Sequence, residues 1–523
     1  MHRENTDWIR TVSLLPPSLH DNRADAERLI HALKGQLHTD SIHIDLGLLK
    51  VLPGVIRKWN YRVRCVLLKD RERWELIHLT NPHDSSVLAG LAVDLGTARI
   101  VLRLVDLSTG STLAESAFDN PQLAIGPDIL SRIHRAERNN GLIKLNRSII
   151  EGLNREIEKI SLSGNCRAQD ILFISAAGNT AMTHLFMGLE PRWIIREPYI
   201  PAINRPGLVP ASKLGIKVHP SARVFIFPNV GSYFGGDLIA GILYSGMQTA
   251  RDPAILVDVG TNAEVVLGNA NWLIACAGAA GPALEGDVTR MGMMAGPGVI
   301  DRFAIEPKTL DFSFRTIDDA KPLGICGSGL IDLAAELFLC GMLDVRGKLV
   351  PAVCGNKIRD KDGLLHLVVV PAADSAAGSD LTLSQAEIDS LIRSKAAMYT
   401  ILETVTAAVG ISMQGIKDFY MAGTFGSFIR PQSAMAIGMI PDLPTESFKG
   451  LGNSSLGGAT KIITSAQSLA EVEGIRDRVT YIELNVNQEF MDRFSAAKFL
   501  PHTDPALFPS VKARQKTKCR KTF

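Results

Sequence analysis

Read from its start, the chain switches between helical and strand spacing of its apolar residues. In LHDNRADAERLIHALKG (19–35) the apolar positions fall on one helical face, with Asp21 and Asn22 ahead of it as caps and Gly35 to end it. A second helix is expected over much of Asp45 to Trp59, interrupted at Pro53-Gly54. The period then drops to two. In YRVRCVLL, Tyr61, Val63, Cys65 and Leu67 alternate with Arg62 and Arg64, and a charged KDRER turn leads into WELIHL, which predicts a β-hairpin. Residues 13 to about 88 therefore form a small α/β unit.

From Leu91 onward the pattern is one of buried-strand runs, glycine-rich turns and long helices. LAVDLGTARI (91–100) and ILVDVGTNAE (255–264) are both runs of strand formers that end in Asp-(Leu/Val)-Gly-Thr. Each opens a hairpin, completed by VLRLVDLSTGSTLAESAF in the first case and EVVLGNANWLIACAG in the second. The architecture is thus duplicated although little sequence beyond the turn is shared. Helical spacing returns in SQAEIDSLIRSKAAMYTILETVTAAVG and in SAMAIGMI, whereas the final KARQKTKCRKTF has no apolar face and reads as a solvated tail. The expected division is 1–88, 89–250, 251–490 and a C-terminal extension with a basic tail over 491–523.

Composition narrows the function classes. A chain of 523 residues exceeds one hydrophobic core and fits roughly three units of about 100–200 residues. With 46% hydrophobic and 21% charged residues and a formal net charge of +2, no chain-wide nucleic-acid footprint is expected. The start lacks a basic stretch followed by an apolar one, and no run of about 18 apolar residues occurs, so no membrane partner and a cytoplasmic location are expected. The seven cysteines (Cys65, Cys166, Cys276, Cys326, Cys340, Cys354, Cys519) are dispersed without a C-x-x-C pair, so their spacing predicts neither a zinc site nor an iron–sulfur cluster.

The repeated turn carries the candidate chemistry. Its aspartate and threonine put a carboxylate and a hydroxyl beside a glycine that lets backbone amides approach an anion. Polyphosphate needs such amides, and Mg²⁺ needs carboxylates that act largely through its retained waters. Asp94 and Asp258 supply the carboxylates, and Gly96, Thr97, Gly260, Thr261 and Asn262 the turns. A single Asp-Gly-Thr is ordinary hairpin punctuation; two copies accompanied by AAGNTAMTHL (176–185), CAGAAGPALEGD (276–287) and MAGTFGSFI (421–429) are not. Asn179 and Thr180 are then candidates to face phosphate, with helix capping as the alternative, and Glu285 and Asp287 to order metal-bound or attacking water, with a helix-start role as theirs. Gly423, Thr424 and Gly426 suit a nucleoside, and Gly327, Ser328 and Gly329 line the same site or permit close helix packing. Lys395, near Asp389 and Arg393, reads as part of a solvated face, Cys276 and Cys326 as small buried hydrophobes, and His184 as structural.

Taken together, VDLGT, VDVGTNAE and MAGTFG resemble the two phosphate motifs and the adenosine motif of the ATPase superfamily that joins acetate and sugar kinases, large heat-shock chaperones and actin. More narrowly, LPPSLHDNRAD, NPQLAIGPDILSRI, GNTAMTHL, AAGPALEG, GICGSGLIDLAAELF and AIGMIP, in this order, resemble the ATP-dependent reductive activators of corrinoid proteins. The resemblance implies an α/β chain with a duplicated ribonuclease-H-like (actin-like ATPase) fold preceded by a small α/β domain that mediates self-association as a homodimer. It implies ATP and Mg²⁺ as cofactors, Asp94, Asp258 and Glu285 as catalytic groups with both aspartates on the metal, and return of an inactive Co(II) corrinoid protein to Co(I). The sequence departs from the family pattern at Ala98-Arg99, where further threonines are usual, at Ala263, where glycine is usual, and at Thr424, which replaces a second glycine. The family's iron–sulfur domain has no counterpart among these cysteines, so a separate low-potential electron donor is expected as a partner. Two other functions use the same residues: a small-molecule kinase with Asp237 or Asp287 as base, and a nucleotide-sensing interaction protein that binds ATP without hydrolysing it. The cysteine spacing predicts that anaerobically purified protein contains no iron or acid-labile sulfide; stoichiometric amounts of both would contradict it.

Overall fold

The computed structural model describes residues 7–260, 263–278, 289–361, 363–482 and 488–520. The chain forms two compact units, Met1–Gly246 with Ser454–Arg478 and Met247–Asn453 with Val479–Phe523. The first begins with β1 (Ile9–Ser13), α1 (Asp25–Leu37), β2 (Ile42–Ile44), α2 (Leu46–Lys58), β3 (Arg62–Asp70) and β4 (Arg73–Thr80), in a sheet of order β1-β3-β4-β2. The predicted hairpin is the antiparallel pair β3 and β4. Two local expectations are corrected. α1 starts at Asp25 and runs through Gly35, while Asp21 instead pairs with the buried guanidinium of Arg28 at 2.6 Å. α2 continues unbroken through Pro53, because burial of Leu52 and Ile56 on either side of it outweighs the one backbone hydrogen bond proline removes.

This small unit shares its core with the sheet that follows. Trp8 is fully buried and meets the edge of Phe173 at 5.1 Å, Arg223 forks onto Glu75, and the rings of His78 and His219 lie 4.7 Å apart. The larger sheet contains β5 (Ala89–Leu95), β6 (Arg99–Asp106), β7 (Thr112–Asp119), β8 (Ile171–Ala177), β9 (Gly207–Pro210) and β10 (Arg223–Ile226), in the order β7-β6-β5-β8-β10-β9. Its helices are α3 (Ile129–Ala136), α4 (Gly141–Ser163), α5 (Thr180–Met187) and α6 (Gly236–Ser245). Helix Ser454–Thr464 packs on α6 through two glycines: a Cβ on Gly458 would lie 2.1 Å from the Ala240 oxygen, and one on Gly457 2.6 Å from the Tyr244 ring. Thus Ser454–Arg478, which falls inside the 251–490 segment of the sequence division, packs in the first unit.

The second unit opens with β11 (Ala254–Val259), β12 (Ala263–Gly268) and β13 (Leu273–Gly278). A small sheet of β14 (Val299–Ile305), β15 (Phe312–Thr316) and β16 (Gly324–Ile325) precedes α7 (Gly327–Leu339) and α8 (Pro351–Cys354), and another of β17 (Ile358–Lys361), β18 (Leu364–Val370) and β19 (Leu381–Ser384) precedes α9 (Gln385–Ala408). The unit continues with β20 (Asp418–Ala422), α10 (Gly423–Phe428), α11 (Pro431–Ala436), β21 (Phe448–Gly452) and β22 (Val479–Tyr481). Its main sheet has the order β21-β20-β11-β12-β13-β22. The run β13-β12-β11-β20-β21 therefore repeats β7-β6-β5-β8-β10, antiparallel within the hairpins and parallel at β5/β8, β8/β10, β11/β20 and β20/β21. The chain adopts the duplicated ribonuclease-H-like fold.

Two more expectations change. Lys395 is fully buried rather than solvated, and its ammonium donates to the carbonyls of Phe499 at 2.5 Å and Pro501 at 2.8 Å, with burial holding its pKa well below the usual lysine range. The long helix α9 is covered on that side by residues 499–508, which its own periodicity does not reveal. The basic tail is helical as part of Pro509–Arg520, with Val511 buried and Arg514 donating to the Gln432 carbonyl at 2.7 Å.

The His78–His219 contact makes stability depend on pH. Burial, with His219 beside it, lowers the pKa of His78 to about 4, against 6.5 for the free side chain. Between these values the unfolded chain binds the extra proton, so stability is full above about 6.5 and is lost as pH falls toward 4. Denaturant unfolding at pH 5 should show about 2 kcal/mol less stability from this group than at pH 7.5. His78→Phe should flatten that slope; an unchanged slope would contradict the assignment.

Candidate functional site

The first turn is built by register. Asp94, half-buried near the end of β5, lies opposite Ala177 on the parallel strand β8. The next residue, Gly178, sits directly on Leu95, where a Cβ would come within 2.8 Å of the Leu95 Cβ. Gly96 closes the hairpin so tightly that a Cβ there would stand 2.1 Å from the Arg99 oxygen. Beyond this contact the chain enters α5, whose cap Asn179 accepts from the Met182 amide at 2.9 Å and donates from Nδ2 to the Thr97 hydroxyl oxygen at 3.1 Å. Asn179 is therefore both a cap and a neighbour of the turn. Thr180 turns its hydroxyl to the Gly231 carbonyl at 3.2 Å. Ser455, which sequence reasoning missed, donates from its hydroxyl to Asp94 Oδ1 at 2.8 Å. No signal in the sequence connects positions 361 residues apart.

The second turn repeats the device. Asp258 near the end of β11 lies opposite Ala422 on the parallel strand β20, and Gly423 follows with φ 81°. A Cβ on Gly423 would stand 2.9 Å from Asp258 Oδ1 and 3.1 Å from the Val259 oxygen, so α10 begins against the carboxylate only because residue 423 is glycine. Gly426 lies on the backbone of Met421, and Gly260 is half-buried after Val259. Thr261, Asn262, Glu285 and Asp287 lie outside the described residues, as does the side chain of Thr424. Gly327 and Ser328 open α7, which packs beside α10. The Ser328 hydroxyl lies 3.2 Å from Cys326 Sγ, and a Cβ on Gly329 would be 2.4 Å from the Ile300 oxygen, which is the close-packing role.

The second unit also has an ion pair on a buried aspartate that the sequence reading did not identify. Asp332, fully buried in α7, accepts from Arg430 Nε at 3.0 Å and Nη2 at 2.6 Å, with Arg302 3.9 Å away. Arg430 precedes α11, so the pair fixes the end of the α10 segment to α7. Its signal was an aspartate within the otherwise apolar GLIDLAAELF. The expected structural roles hold elsewhere: His184 engages the Thr180 carbonyl and the Ala202 amide, and burial pushes the Cys276 thiol up to about 12.

The residues present suit Mg²⁺ and phosphate. Each unit offers a half-buried carboxylate, and the surrounding donors at the first turn are a hydroxyl and a carboxamide, hard groups of the kind this cation and its phosphates take. Gly96, Gly178 and Gly423 let the neighbouring chain close tightly on the turns, which holds the turn backbone in place. Among the described residues no group of three or more His, Cys, Asp or Glu converges on one point. Mg²⁺ sites commonly use one or two carboxylates and complete their shell with water and phosphate.

A duplicated ribonuclease-H-like fold with an aspartate turn at the matching place in each half defines an ATPase of the actin, heat-shock chaperone and sugar-kinase class. Three family models run along the chain: the RACo linker region over residues 7–86, the RACo middle region over 89–250 and the C-terminal, ASKHA domain of RACo over 252–512. A solved structure of a reductive activator for a corrinoid, iron–sulfur protein is similar at 37% identity and a TM-score of 0.84, covering 97% of this chain and 81% of that one. The corrinoid activation enzyme RamQ of Eubacterium limosum is 28% identical over 413 residues, which are 77% of this chain and 69% of that protein. A [Co(II) methylated amine-specific corrinoid protein] reductase of Methanosarcina barkeri is 22% identical over 429 residues, 75% of this chain and 73% of that protein. The chain belongs to the RACo family of corrinoid-protein reductive activators.

Asp258→Ala should leave the protein folded, since a turn carboxylate contributes little to the core; with Asp258 expected to organise charge in the transition state, ATP turnover should fall about 10²–10³-fold. Turnover like that of the wild type in folded Asp258→Ala protein would remove Asp258 from the site.

Proposed function

We propose that this chain is an ATP-hydrolysing activator that supports one-electron reduction of a Co(II) corrinoid protein to Co(I), with the electron supplied by a separate low-potential donor. The observation that carries the reading is the ordered run of all three family regions along the chain, together with both aspartate turns. No helix among the described residues is long and apolar enough to cross a membrane.

In this reading Asp94 and Asp258 hold the waters of Mg²⁺, while Gly96, Thr97, Asn179, Thr180, Gly260, Thr261 and Asn262 surround the phosphates. Gly423, Thr424 and Gly426, with Gly327 and Ser328 nearby in the second unit, take the nucleoside, and Glu285 orients the attacking water. When bound, Mg²⁺ neutralises charge on the phosphate oxygens. The small α/β unit mediates a homodimer.

Binding energy supplies the link to reduction. Moving a two-state equilibrium from 1:99 to 99:1 takes about 5.5 kcal/mol of differential affinity, a 10⁴-fold shift that corresponds to about 240 mV for a one-electron couple. A chain that prefers one cobalt state by this much brings an uphill electron transfer within reach, and ATP hydrolysis releases the tight complex.

Coupling requires different affinities for the two states. ATP hydrolysis should therefore rise on addition of a Co(II) corrinoid protein and rise much less with its methylated Co(III) form, and Co(I) should appear only when a low-potential donor is added. Equal rates with both forms, and no complex on gel filtration, would refute the corrinoid reading.

A further inference from the structure

Residues 120–133, NPQLAIGPDILSRI, have no role in the site as described so far, yet they form a buried network directly behind the first turn. Asn120, 1% exposed, donates from Nδ2 to the Gly96 carbonyl at 2.9 Å and from its backbone amide to the Ala98 carbonyl at 2.8 Å. Arg132, 0% exposed, donates from Nη2 to the Thr97 carbonyl at 2.7 Å. Its Nε donates to the Gly126 carbonyl at 2.8 Å and its Nη1 to Gln122 Oε1 at 3.2 Å. Gln122 is itself fixed by donating to the Leu145 carbonyl at 3.0 Å, and its backbone amide donates to Asn120 Oδ1 at 3.0 Å.

Three successive carbonyls of the turn, those of Gly96, Thr97 and Ala98, are therefore held by just two residues. A trans peptide is planar and its N–H points opposite to its C=O. Anchoring the Gly96 and Thr97 carbonyls in the interior thus directs the Thr97 and Ala98 amides outward, and no described residue accepts from either amide. Thr97 is half-buried and Ala98 exposed, so the outward face is open. Successive amides held in this way form a concavity suited to an anion.

The charge balance points the same way. Among the described residues Arg132 makes no ion pair within 4 Å; burial lowers its pKa to about 10 against a smaller opposing effect of the Asp128 carboxylate, which leaves it charged at neutral pH. All of its hydrogen bonds go to neutral groups and Asp128 reaches it only at a distance, so a further negative charge nearby stabilises this buried cation. The face opposite the network is where a phosphate would lie under the reading given above.

We propose that Asn120 and Arg132 are positioning residues that hold the first turn in its phosphate-accepting form, with the buried guanidinium balanced by phosphate when nucleotide binds. This rests on the reading of the Gly96–Thr97 turn as a phosphate site.

The test compares the affinities of the full chain for adenosine, ADP and ATP, each with Mg²⁺, by calorimetry. The wild type is expected to bind ADP and ATP more tightly than adenosine. In Asn120→Ala and Arg132→Met, adenosine affinity should stay within about twofold while the gain from the phosphates falls tenfold or more. Arg132→Lys should recover part of that gain, because it restores the charge without the fork of donors. Should Arg132→Met fail to fold, Asn120→Ala, which keeps the guanidinium, decides the matter. An undiminished phosphate gain in folded variants, or an equal loss for adenosine and ADP, would overturn the proposal. A wild type that shows no phosphate-dependent gain would instead reject the phosphate-site reading beneath it.

Discussion

A close backbone approach that only glycine permits shapes both halves of this molecule. Gly178 lies on Leu95, and Gly423 lies on Asp258 and Val259. In each case the glycine follows the residue paired with an aspartate across two parallel strands, Asp94 with Ala177 and Asp258 with Ala422. A slip of one residue would turn every side chain of those buried strands to the opposite face, so the core fixes the register, and the register fixes where each carboxylate emerges. The glycine then lets the following helix start beside the turn. Fold and site are one constraint, applied twice.

The supports behind the two turns have diverged. The first half uses a carboxamide and a guanidinium, Asn120 and Arg132, to take up the turn's carbonyls. The second ties the end of its glycine-led segment to α7 through the forked pair of Arg430 with the buried Asp332. Duplication has kept strand order and the aspartates while the means of holding them became specific to each half. The departure at Ala98-Arg99 falls in this first turn, where the side chain at 98 offers no hydroxyl.

What was legible in the sequence was local. The two Asp-Gly-Thr turns stand out because the motif and its flanking strands are contiguous, and the helical period of SQAEIDSLIRSKAAMYTILETVTAAVG is contiguous in the same way and becomes α9. What was not legible depends on distant partners. Lys395 has the neighbours of a surface lysine in sequence, and only the carbonyls of Phe499 and Pro501 explain its burial. Ser455 reaches Asp94 because its helix packs on α6 through Gly457 and Gly458, which read simply as small residues in sequence. Propensity alone makes Pro53 a helix breaker, whereas in the folded chain the packing of Leu52 and Ile56 carries the helix through it.

If both aspartate turns serve one nucleotide-dependent function, nucleotide should change the protection of both. Hydrogen–deuterium exchange of the full chain, with and without saturating Mg·ADP, measures this directly. Slower exchange on binding is expected at residues 95–98 in the first unit together with residues 259–260 and 423–426 in the second. Protection confined to one unit, or no protection at either turn while nucleotide is bound, would contradict it.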